Sequence, residues 1–128
     1  MTTADLKGDR QSRCQRQLLR LRILVLSQDG MTPARQAAEI RDATNAVIAE
    51  VEATSRAVLQ AGSQEPEAET FLWVRVARLA TAADQAVNAA RSRDISGLDA
   101  HLRHFDALTS AIWAVQDAVY GQEPTARR

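Results

Sequence analysis

The chain has 128 residues, the size of one domain, and its 16 basic and 16 acidic side chains cancel. No overall field therefore draws it to nucleic acid or to an anionic membrane surface. Aromatic residues are 4% of the chain, with 5 Gly and 3 Pro, too little punctuation for a many-stranded fold, and the single cysteine excludes an internal disulfide and a Cys-based zinc cage.

Much of the apolar content is alanine, which favours helix and buries little area per residue, so closely packed helices around a thin core are expected. Residues 1–8 read as a flexible tail ending at Gly8. The first helix is expected from about Asp9 to Gln28. Cys14, Leu18, Leu21 and Val25 recur there at steps of four, three and four, which places them on one face. Asp29-Gly30 is a turn signal.

Thr32-Pro33 opens the second helix, with Thr as N-cap and Pro in the first turn. Its seam is Ala37, Ile40, Thr44, Val47, Val51, Thr54 and Val58, and Ala61-Gly62 closes it. The third helix begins near Glu65-Pro66, where Glu67 and Glu69 suit the positive end of the helix dipole. Its stripe of Leu72, Val76, Leu79, Ala83, Ala86 and Ala90 shrinks from large to small, so a neighbour should approach closely at its C-terminal end.

Ser92 to Asp94 form the last break. Ser96 is the expected cap of the fourth helix, with Asp99 as its capping-box partner. Ile95, Leu98, Leu102, Phe105, Thr109, Ile112, Gln116 and Val119 follow the same three-four rhythm, until Gly121 and Pro124 stop the helix and residues 122–128 form a second flexible tail. No stretch alternates with period two. Short connections favour antiparallel neighbours, so residues 9–121 are expected to form an all-α, antiparallel up-down four-helix bundle.

The first helix has more apolar surface than one seam requires. At about 100° per residue, Leu19, Ile23 and Leu26 fall opposite the Leu18, Leu21 and Val25 face. A helix apolar on two sides is either deeply buried or shared between two packing partners. In a thin bundle each helix keeps a solvent face, so this second stripe predicts a homodimer and docking of another protein. Phe71 and Val74 repeat the pattern on the third helix, pointing away from its seam.

Competing chemistries leave weaker traces. Arg13, Arg16 and Arg20 share one flank of the first helix and have the spacing to contact phosphates, and Arg35 and Gln36 are residue types that read bases. A nucleic-acid-binding regulator is therefore the alternative, set behind the first reading because Leu19 to Leu26 is too apolar for a solvent-facing supporting helix. His101 and His104 lie three apart beside Asp99 and Asp106, but no Glu-x-x-His pattern accompanies them and no metal is expected.

Cys14 lies on the inward seam and reads as a buried thiol, and the glycines form no phosphate-cradling loop. No catalytic residue and no cofactor is implied. The seam residues Thr44, Thr54, Thr109 and Gln116 read as register-fixing groups. A further alternative has them line a small-molecule pocket walled by Trp73, Trp113 and Tyr120. The longest apolar run, Ile23 to Leu26, is too short for a bilayer, and the N-terminus lacks a signal-peptide pattern, so the cytoplasm is the expected location. The function expected is thus a non-enzymatic regulatory or interaction module that self-associates and docks a protein through apolar helix faces.

Overall fold

The computed structural model describes residues 3–27, 30–61 and 66–120. They form four helices, α1 (Thr3–Leu26), α2 (Pro33–Ala61), α3 (Pro66–Arg91) and α4 (Ile95–Tyr120), with no strand among the described residues. None of these helices is long and apolar enough to cross a membrane. Packing is most extensive between α3 and α4, followed by α2 with α3 and α1 with α2, while α1 meets α4 only thinly. This is a helical bundle in which sequence neighbours make the principal contacts.

The three-four seams become its core. Every seam position of α2 and of α3 is buried, as is every seam position of α4 except Ile95. Phe105, Ile40, Leu72, Leu79, Leu98 and Ile112 are the largest apolar side chains enclosed. The second half of α3 buries Ala82, Ala83, Ala86, Val87, Ala89 and Ala90, a small-residue surface that admits neighbouring helices closely. Ile95 is exposed because it is the first residue of α4, at an open end of the bundle.

Helix ends depart from the sequence reading in two places. α1 begins at Thr3, not Asp9, and runs through Gly8. One glycine inside a helix costs only about 1 kcal/mol relative to alanine, too little to stop a segment that Ala4, Leu6 and Lys7 favour. The cap of α4 is Asp94, not Ser96. Its carboxylate Oδ1 accepts the Gly97 N–H at 3.0 Å, and its carbonyl accepts the Leu98 N–H at 2.8 Å. Gly97 leaves the carboxylate room, since a Cβ there would lie 2.1 Å from Asp94 Oδ2. Asp94→Ala is expected to cost about 1 kcal/mol in chemical denaturation, and Ser96→Ala less than about 0.5 kcal/mol. A larger loss at Ser96 than at Asp94 would return the cap to Ser96. The Thr32 cap of α2 stands as read, with Thr32 Oγ1 accepting the Arg35 N–H at 3.1 Å. Gly62, Gly121 and the tail 122–128 lie outside the described residues.

The turn between α3 and α4 is closed by an arginine in the conformation that usually selects glycine. Arg93 has a φ of 56°. The Asp94 N–H bonds to the Ala89 carbonyl at 2.9 Å and the Arg93 N–H to the Ala90 carbonyl at 3.2 Å, the paired bonds of a Schellman ending. Here a β-carbon is tolerated because the side chain is engaged elsewhere: the Arg93 guanidinium donates to the Met31 carbonyl and to Gln36 Oε1. Gln36 in turn donates through Nε2 to the Leu24 carbonyl at 2.7 Å. The end of α1, the start of α2 and the α3–α4 turn are thereby latched together.

Candidate functional site: the outer face of α1 and the groove beside it

The inward face of α1 is Cys14, Leu21 and Leu24, all buried, with Leu18 and Val25 half-buried. The centre of this face is shifted toward Leu24 from the expected Cys14–Leu18–Leu21–Val25 line. The cause is tertiary. α1 packs far more on α2 than on α4, so the Leu24 side is covered while the Leu18 and Val25 side stays partly open. Against α2 the partners run in opposite order: Cys14 shares a recess with Ala46 and Glu50, Arg20 pairs with Glu39, and the Leu24 carbonyl receives Gln36.

Opposite this face, Leu19, Ile23 and Leu26 are 58%, 52% and 83% exposed. They follow one another at steps of four and three and form one continuous apolar ridge. Beside the ridge, between α1 and α4, opens a groove of about 650 Å³. Leu18, Leu21, Val25 and Leu102 supply its apolar lining, and Leu26 belongs to both ridge and groove. Its charged lining is Arg22, Asp99, Arg103 and Asp106. Arg22 lies 3.6 Å from Asp106 across the groove, and Arg103 lies 2.8 Å from Asp99 along α4.

Phe71 and Val74 are also exposed, at 46% and 43%, but they do not join this ridge. They sit on α3, which packs on α2 and α4. The Arg75 guanidinium lies 3.4 Å from the centroid of the Phe71 ring and covers that face with a cation. The expected interface residues therefore form two separate patches, of which the one on α1 is the more apolar.

Of the candidate phosphate-contacting arginines, Arg20 is held by Glu39 and Arg16 is exposed beside the Cys14 recess, while the side chain of Arg13 lies outside the described part. Gln36, a residue type suited to reading bases, is 1% exposed and committed to the Leu24 carbonyl. His101 is half-buried and His104 exposed, and no group of three or more His, Cys, Asp or Glu side chains converges among the described residues. Trp73 and Trp113 are half-buried against the core, and the side chain of Tyr120 lies outside the described part. Compared with family models, curated proteins and solved structures, the chain matches none.

Proposed function

We propose that this chain is a non-enzymatic interaction module of the cytoplasm, a homodimer that docks a further protein through apolar helix faces. The observation that carries the reading is the Leu19–Ile23–Leu26 ridge, directly opposite the buried face of α1. Covering such a ridge gains about 25 cal/mol for each Å² of apolar surface removed from water, a gain a lone chain forgoes. The placement of reactive side chains supports a role without catalysis, since the Cys14 thiol is packed inside and the two histidines lie toward the margin. A chain that uses a single cysteine, and buries it, also suits a reducing compartment. Docking of a second kind of protein would fall to the surfaces that the dimer leaves open, among them Phe71 and Val74.

Solution mass tests this directly. The wild-type chain is expected near twice 14.0 kDa by light scattering at micromolar concentration. Leu19→Glu with Ile23→Glu is expected to halve that mass while leaving helicity nearly unchanged, because both positions face water in the protomer. A double variant with unaltered mass would remove the ridge from the interface.

A further inference from the structure

We propose that a second copy of the chain fills the α1/α4 groove: the Leu19–Ile23–Leu26 ridge of each protomer seats in the groove of the other about a twofold axis, and Arg22 of each chain faces Asp106 of the partner subunit. The proposal rests on the self-association put forward above and adds the surface that receives the ridge.

Interface size is the first argument. Three aliphatic side chains fall well short of the roughly 800 Å² per partner that a stable interface covers. The groove is continuous with the ridge through Leu26 and adds the apolar lining of Leu18, Leu21, Val25 and Leu102. Symmetry is the second. A twofold interface sets one patch against its own copy, so knob and hole must lie side by side on the same surface. α1 carries both, whereas Phe71 and Val74 lie apart from the groove, with the Phe71 ring under the Arg75 guanidinium.

Charge gives the third argument. A groove lined by one sign would repel its twin, but this one holds two cations, Arg22 and Arg103, and two anions, Asp99 and Asp106. Arg103 is committed to Asp99 within α4. Arg22 is largely exposed and only loosely held, its 3.6 Å to Asp106 exceeding the roughly 2.7–2.9 Å of a close charge-assisted bond. It is therefore placed to exchange its own Asp106 for the partner's. The chain's last segment, 121–128, offers no large aliphatic or aromatic side chain to fill the groove instead.

Charge reversal and mixing provide the test. In Arg22→Asp both facing positions are acidic, and in Asp106→Arg both are basic, so each variant alone is expected to dimerise roughly tenfold or more weakly than wild type in sedimentation equilibrium. An equimolar mixture of the two is expected to recover the wild-type dimer as a one-to-one heterodimer. Mixing restores an Arg–Asp pair between chains and cannot restore one within a chain, so recovery is specific to the exchanged contact. Single variants that dimerise like wild type, or weakened variants that mixing fails to rescue, would overturn the seating. Self-association would then still be judged by the Leu19 and Ile23 substitutions. A wild-type chain that stays monomeric at every concentration would overturn both.

Discussion

Phe105→Ala is expected to lower stability by about 3–5 kcal/mol, enough to remove a large part of the roughly 5–15 kcal/mol that holds a domain of this kind folded. Phe105 is fully enclosed on α4 and is the largest side chain of the core. Its removal forfeits the transfer energy of a whole aromatic ring, and it leaves a void that the helix backbones cannot collapse to fill. Urea denaturation followed by helicity measures the loss. Phe71→Ala is the matched control, because the same ring on α3 is exposed and lies under the Arg75 guanidinium, so its loss should cost no more than about 1 kcal/mol. Similar losses at the two positions would mean that α4 is not packed as described.

The next largest effect is expected at Gln116, and its size depends on the replacement. Gln116 is fully buried, and its Nε2 donates to Thr54 Oγ1 and Ser55 Oγ, both at 2.9 Å, tying α4 to α2. Gln116→Ala removes those bonds and opens a cavity, an expected loss of about 2–4 kcal/mol. Gln116→Leu keeps most of the volume. The Thr54 hydroxyl retains its own donation to the Glu50 carbonyl at 2.9 Å, so the expected loss is about 1 kcal/mol or less. A leucine variant as unstable as the alanine variant would make the hydrogen bonds, not the packing, the dominant contribution. With the small leucine loss expected, the polar cluster serves register more than stability: it pairs one position on α4 with one turn of α2.

How far these features could be read from the chain depended on how local their causes are. The seams of α2, α3 and α4 were legible because a three-four repeat on a helix has one face to bury, whichever helix lies opposite. Even the polar seam residues Thr44, Thr54, Thr109 and Gln116 fell inside as their phase required. The caps were less legible, since Asp94 and Ser96 differ by about 1 kcal/mol or less as starting points, and the choice turned on the missing side chain of Gly97. The left-handed Arg93 carried no signal at all. Its stabilising partners, Gln36 and Met31, lie 57 and 62 residues away in sequence. On α1 the exposed ridge was visible in the helical phase of Leu19, Ile23 and Leu26. The groove beside it was not, because it exists only through the unequal packing of α1 against α2 and α4.

That unequal packing has a consequence for how the molecule opens. Every one of the largest fully enclosed side chains among the described residues belongs to α2, α3 or α4, and none to α1. α1 is held chiefly along α2, by Cys14, Leu21 and Leu24 and by the latch at its C-terminal end. The other three helices are expected to unfold as one cooperative unit, and α1, packed mainly on one neighbour, is expected to open at a lower free energy. Amide hydrogens of α1 should exchange through partial opening, well before those of α3 and α4, which await global unfolding. The arm that detaches most easily is also the one bearing the exposed ridge, so a dimer built on α1 would slow its exchange more than that of any other helix.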